Sequence, residues 1–221
     1  MQVSPLSQFQ RRLFAWCMAG VNGIDQEAVK CIDCAEYDNM ATLKHALLGK
    51  LTGTVVEIGP GAGANFVYYP KDIHWIGIEP NPFMHPYLQD EAARQGFHDI
   101  QFYGDSGEHL GLENESVDAV VSTHVLCSVG QLEAVFTEII RVLKPGGTFT
   151  FFEHVGAAEG TWTRTLQNGI TPVWKILFDG CYPNRDIWNV LATTGFTAID
   201  YEAFQLKLPV VGPHIAGVAV K

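Results

Sequence analysis

Val55–Phe66 reads VVEIGPGAGANF: an apolar run that ends in an acid, then glycines at every second position, Gly59, Gly61 and Gly63. Residues 54 to 58, TVVEI, are β-branched without polar alternation, the pattern of a short strand buried on both faces. A glycine loop leaving such a strand at a helix N-terminus lets bare main chain approach a ligand and offers it free N–H groups. The spacing fits G-x-G-x-G and, through Ala64, also the looser dinucleotide form G-x-G-x-x-A, so the loop alone does not name its ligand.

Working outward, HWIGIE (74–79), DIQFYG (99–104), VDAVVS (117–122) and TFTFFEH (148–154) follow at one-helix spacing, the βαβ rhythm of a parallel sheet. Leu132, Val135, Phe136, Ile139, Ile140 and Leu143 form one apolar helix face before the last of these strands. Lys144-Pro145-Gly146-Gly147 stops that helix, because proline cannot continue the ladder and glycine permits the reversal. Trp162, Trp174 and Trp188 mark a helical segment covering one end of the sheet, and AIDYEAF (198–204) and HIAGVAV (214–220) supply two further strands. The predicted fold is α/β, a doubly wound, mostly parallel, seven-stranded sheet over residues 51–221. Residues 1–50 are read as a helical cover of the same domain, lying over the sheet's C-terminal edge, where open α/β sheets bind ligands.

The 221 residues, 47% of them hydrophobic, suit one compact domain with a sizeable core. With 14 Lys and Arg against 24 Asp and Glu, the net charge of -10 works against nucleic acid as a partner. Five cysteines lack the spacing of a disulfide framework. Cys31-Ile-Asp-Cys34 has no second ligand pair, so it reads as free thiols; no metal site is expected, and Cys127 and Cys181 read as buried small hydrophobes. No stretch reaches the ~20 apolar residues of a membrane span, and a cytoplasmic location is expected.

Glu79, at the end of the second predicted strand, stands where an acid accepts hydrogen bonds from ribose hydroxyls, which points to a nucleoside. Together with Tyr103-Gly104-Asp105-Ser106, VDAVVS and Arg141-Val142-Leu143-Lys144-Pro145-Gly146-Gly147, residues 54–154 resemble the class I S-adenosylmethionine-dependent methyltransferases. The resemblance implies that Gly59, Gly61 and Gly63 hold the methionine part of the cofactor while Glu57 reaches its amino group. It assigns the ribose to Glu79, with Pro80 beside it, and the adenine to Asp105 and Ser106. An acid-lined loop suits a sulfonium cation and disfavours the pyrophosphate of a nicotinamide dinucleotide.

A narrower resemblance runs over residues 54–221. GPGAGANF, SVDAVVSTHVLCSV, FFEHV, TWTRTLQ, PVWKILFDGC and PHIAGVAVK look like the animal microsomal alkyl-thiol methyltransferases, the methyltransferase-like 7 branch. It implies methylation of a small apolar thiol; O-, N- or C-methylation of a lipid, quinone or secondary metabolite, or cofactor binding without turnover, are the alternatives. The hydrophobic anchor with which those enzymes start has no counterpart here, so no integral membrane segment is expected. His124 and His154 follow the fourth and fifth predicted strands and are the candidate proton acceptors, each weighed against a packing role; His124 also counts as a cofactor contact. His214 is a pocket-lining candidate through the resemblance. Thiolate attack on a sulfonium gives neutral products, so proximity and loss of water need little further acid-base machinery.

Overall fold

TVVEI forms β2 (Thr54–Ile58) in the interior of an eight-stranded sheet, with Val55 and Val56 fully buried. The computed structural model describes residues 5–22, 27–34, 36–98 and 100–221. In chain order the elements are α1 (Pro5–Val21), β1 (Cys31–Ile32), α2 (Met40–Leu48), β2, β3 (His74–Ile78), α3 (His85–Arg94) and β4 (Gln101–Tyr103). There follow β5 (Val117–Thr123), α4 (Leu132–Val142), β6 (Leu143–His154), α5 (Trp162–Leu177), α6 (Ile187–Leu191), β7 (Ala198–Leu206) and β8 (Pro213–Val220). Asp99, the expected first residue of the third strand, lies outside the described residues, as do 1–4, 23–26 and 35 of the expected N-terminal cover.

The sheet order is β1-β7-β8-β6-β5-β2-β3-β4. Its β4-β3-β2-β5-β6 part is parallel, and β8, β7 and β1 continue it antiparallel. From β2 the chain moves outward through β3 and β4, then returns to pair β5 against the other side of β2. Beyond the C-terminal ends of β2 and β5, successive crossovers therefore part in opposite directions and leave a crevice.

Alternation along the buried strands sorts the core into layers. Val56, Ile58, Ile76, Val120, Phe149 and Phe151 pack beneath α4 and α6, whereas Val55, Trp75, Ala119 and Val121 meet Phe66, Tyr69 and Leu88 on the other face. On that second face a smaller cluster of Leu43 from α2 with Phe152, Phe204, Leu206 and Ala216 covers the antiparallel end.

Three features differ from the expectation, one being that α4 ends at Val142 and β6 starts at Leu143, so Lys144-Pro145-Gly146-Gly147 belong to the strand. The sheet has an eighth strand: Cys31 and Ile32 pair with Leu206 and Gln205 of β7, and two residues are too short to leave a period in sequence. The glycine loop enters no α-helix. Residues 61–68 form successive turns, with Gly63 N–H donating to Pro60 and Phe66 N–H to Gly63. Gly61 and Gly63 have φ of 56° and 85°, which a right-handed helix cannot contain. Among the described residues no helix is long and apolar enough to cross a membrane.

Candidate active site at the switch point

A cavity of about 620 Å³ opens at the C-terminal ends of β2, β3 and β5, within the range of roughly 300–1,000 Å³ typical of small-molecule sites. Its floor is main chain. Gly59, at φ 61°, donates its N–H to Ile78 O, and a Cβ there would stand 2.3 Å from Val125 Cγ2, so only glycine lets the β2 and β5 loops approach this closely. At Gly61 an added Cβ would meet nothing within 4 Å, so this main chain is open to a ligand.

Glu79, 6% exposed, closes the β3 side. Its Oε2 accepts from Gly61 N–H at 3.0 Å and its Oε1 from Asn81 N–H at 2.7 Å, tying the two loops together. Burial raises its pKa against these bonds. Pro80 and Ser106 line the same end, as does Glu108, whose carboxylate is lowered in pKa by hydrogen bonds that include the Gly130 and Gln131 N–H groups. α1 lies across the cavity: Arg11, Phe14 and Met18 line it, Arg11 donates to Pro80 O, and Asn22 donates to Ala62 O at 2.7 Å.

Of the residues named from sequence, Gly59, Gly61, Glu79, Pro80, Ser106 and His124 line this cavity, and Glu57, Gly63, Asp105, His154 and His214, the last expected to line it, do not. Glu57 points to the Trp75 face of the sheet. Its carboxylate accepts from Asn65 Nδ2 at 2.7 Å, Tyr69 Oη at 2.9 Å and Trp75 Nε1 at 3.1 Å, and Asn65 stands between it and the cavity. Asp105 is exposed beside Gly111.

The deepest charge in the cavity wall comes from a residue that pattern reading passed over. Lys44, 5% exposed, donates from Nζ to Asn65 Oδ1 at 3.0 Å, and Asn65 also donates to Thr123 Oγ1 at 2.8 Å. The partner of the ammonium is a neutral amide; the carboxylate whose charge it feels, Glu57, lies behind that amide. Burial therefore brings the Lys44 pKa down to about 8, with Glu57 opposing. A signal existed: Lys44 shares the apolar face of α2 with Met40, Leu47 and Leu48, where a lysine is out of place.

Three histidines stand behind and beside it. His154 and His214 are cross-strand partners on β6 and β8, and His124 follows β5. His214 Nδ1 is 2.7 Å from Gly212 O, which can only accept, so Nδ1 carries the proton and Nε2 is bare. His124 Nε2 lies 3.0 Å from that bare nitrogen and must donate to it, leaving His124 Nδ1 with its lone pair. His124 is exposed, opening onto the cavity, yet protein atoms crowd its ring; that desolvation, with His214, Lys44 and His154 close by, pushes its pKa well down. His214 is pushed down to about 4 by burial. Both rings are neutral at pH 7.

His124 has φ 55°, uncommon for a residue with a Cβ. Glu153 holds the loop that imposes it: its buried carboxylate accepts from Ser122 Oγ, Val125 N–H and Leu126 N–H, and burial raises it to about 7. Opposite the polar groups, Phe14, Met18, Val29, Met40, Met84 and Leu208 make the wall apolar. The arrangement joins a main-chain and carboxylate half, fit for a nucleoside bearing a cation, to an apolar half with a buried ammonium and a neutral imidazole.

The chain is similar to known proteins in sequence and in fold. The methyltransferase domain family matches residues 56–151. Human thiol S-methyltransferase TMT1A is 40% identical over 177 residues, 78% of this chain and 72% of that protein. Rat thiol S-methyltransferase TMT1B is 37% identical over 174 residues, 76% of this chain and 70% of its own. Among solved structures, the [4+2]-cyclase SpnF superposes with a TM-score of 0.70 over 100% of this chain and 98% of that one at 16% identity. A possible histamine N-methyltransferase from Thermotoga maritima gives 0.58 over 81% and 86% at 20% identity. At such identities the structures share the fold alone.

Proposed function

The chain belongs to the class I S-adenosylmethionine-dependent methyltransferases, in the branch that holds the thiol S-methyltransferases, and on that premise we propose that it methylates small apolar thiols. The enzyme uses S-adenosylmethionine, and the residues present fit it. Gly59 and Gly61 offer open main chain, Glu79 a buried carboxylate with lone pairs to spare for ribose hydroxyls, and the acidic lining a field that favours a sulfonium. When bound, the cofactor supplies an electrophilic methyl group, and its transfer to a thiolate leaves a thioether and S-adenosylhomocysteine.

The protein's own part is to make and hold the thiolate. Lys44 carries the reading: among the described residues its ammonium, buried against a neutral amide, has no close counter-ion, and an anionic acceptor supplies one. In a cavity drained of water this attraction is stronger than in solution. His124 Nδ1 holds the free lone pair that can take the thiol proton, and the His214 bond keeps its ring in that tautomer. Phe14, Met18, Met40 and Leu208 receive the apolar remainder, and flexible methionines tolerate several shapes. His154 supports this arrangement from behind the wall as a positioning residue. Glu57 acts through Asn65, fixing the amide that meets Lys44.

The net charge of -10 supports a small-molecule acceptor over nucleic acid. Five free cysteines support a reducing, cytoplasmic setting. The test is incubation with S-adenosylmethionine and matched panels of alkyl thiols, aryl thiols, phenols and amines, following S-adenosylhomocysteine and the product mass. Thioethers are the expected products; turnover of phenols or amines with none of thiols would overturn the thiol assignment.

A further inference from the structure

One cluster lies behind that machinery and shares His154 with it. Cys127 in the turn after β5, His154 at the end of β6 and Cys181 after α5 each offer one ligand atom, all within 4.8 Å of one another, and all three residues are buried. His154 Nε2 is 3.3 Å from Cys181 Sγ. We propose that these three side chains bind one thiophilic d10 metal ion, zinc(II) first among them, one layer behind the cavity wall.

The geometry is close to what such an ion asks. With metal–sulfur bonds of about 2.3 Å and metal–nitrogen bonds of about 2.0–2.1 Å, donors around a tetrahedral zinc stand roughly 3.5–4 Å apart. His154 Nε2 and Cys181 Sγ, at 3.3 Å, stand close to that spacing, and the other donor pairs lie within 4.8 Å. Two thiolates and a neutral imidazole around a divalent cation leave no net charge, which suits a buried place. Ligand choice agrees too, since sulfur donors select soft or borderline ions over magnesium and calcium.

The His154 ring is lightly held, although a metal on Nε2 would leave its Nδ1–H still without an acceptor among the described residues. His154 Nδ1 is buried and has no hydrogen-bond partner among the described residues, while Nε2 meets only sulfur. A buried imidazole satisfied on one side by a thiol alone is poorly held for a residue at a strand end, and a metal bond through Nε2 would fix the ring. The effect of the ion follows from where its ligands sit. Ser128 and Asp179, next to Cys127 and two residues before Cys181, line the cavity, and Tyr182 N–H donates to Cys127 O. The ion would therefore clamp the β5 loop, the β6 end and the segment after α5 together, bracing the wall that carries His124. The sequence gives no hint of it, because the donors are 27 residues or more apart and follow no metal-binding spacing.

The test uses the full chain, reduced and freed of metal with a chelator, titrated with cobalt(II) under argon and then with zinc(II). A thiolate-to-cobalt charge-transfer band saturating at one equivalent, and bleached by zinc, is the expected result. Cys181→Ser should lose the band while retaining S-adenosylhomocysteine binding, which shows that the variant is folded; His154→Gln should weaken cobalt without abolishing the band. Equimolar zinc should raise the melting temperature of the parent and leave that of Cys181→Ser unmoved. No charge-transfer band in a protein whose thiols all react with Ellman's reagent when unfolded, or an equal band in Cys181→Ser, would overturn the proposal.

Discussion

The two halves of the cavity are built differently. The nucleoside half is made by the loops directly after β2, β3 and β4, in which Gly59, Gly61, Glu79 and Ser106 stand within a few residues of the strands that place them. The acceptor half draws Phe14 and Met18 from α1, Lys44 from α2, His124 from the β5 loop and Leu208 from the β7–β8 connection, segments brought together only by the finished fold. On the proposed assignment, a half made of consecutive loops could keep its ligand while the composite half is rebuilt for another acceptor. SpnF, a cyclase, shares this fold at 16% identity, so the scaffold does not dictate the chemistry.

If the halves are separable, substitutions should sort by what they change. The largest effect belongs to Gly59→Ala, where a left-handed φ and a Cβ driven into Val125 act together and join both halves. It should cost roughly 2–5 kcal/mol of stability, read by denaturant unfolding; an unchanged midpoint would mean that the loops do not need this contact.

Next comes acid sensitivity of the acceptor half. The native state declines a proton on His214 until about pH 4, whereas the unfolded chain takes it near pH 6.5. Unfolded protein binds more protons in that window, so stability falls as pH drops through it, by about 3 kcal/mol in all. Glu153 contributes with opposite sign, stabilising below its unfolded value and losing that contribution as pH rises through about 7. Comparing parent with His214→Phe cancels Glu153, and the variant should show the shallower acid slope; equal slopes would place the proton elsewhere.

Glu79→Ala should weaken S-adenosylhomocysteine by about 1–3 kcal/mol in calorimetry, with the KM for thiol little moved. The smallest effect is expected at Lys44→Met, which should lower kcat for an alkyl thiol roughly tenfold, about 1.4 kcal/mol, at unchanged cofactor affinity. The sharper reading uses an aryl thiol that is already ionised at neutral pH. Its rate should decline above pH 8 in the parent, as the ammonium loses its proton, and stay level in Lys44→Met. A matching decline in both would remove Lys44 from the chemistry.

The same difference explains what could be read beforehand. β2, β3, β5, α4 and the glycine loop announce themselves because each is a contiguous run with its own period or turn chemistry. Glu79 was legible because a strand end fixes its place. Asn65 was not, and Lys44 only through its place on an apolar helix face, since their roles depend on a bond between segments 21 residues apart and on burial that composition does not reveal. Glu57 shows the limit of position-by-position transfer: its place at the strand end was read from sequence, but alternation turns its carboxylate to the Trp75 face, where Asn65, Tyr69 and Trp75 occupy it. β1 and the turns after Gly61 escaped because two residues, or a chain of left-handed glycines, leave no repeating signal.

The order of strands has a bearing on biosynthesis. β8, which emerges from the ribosome after β7, is the strand that fits between β6 and β7. A nascent chain that has delivered everything through β7 still carries an open seam along β6, with Phe152 unshielded and β7 without its parallel-sheet anchor. Until the eight residues of β8 follow, the seam is a place for a chaperone or for a neighbouring chain's strand, and translation pausing before β8 should lower the yield of folded enzyme.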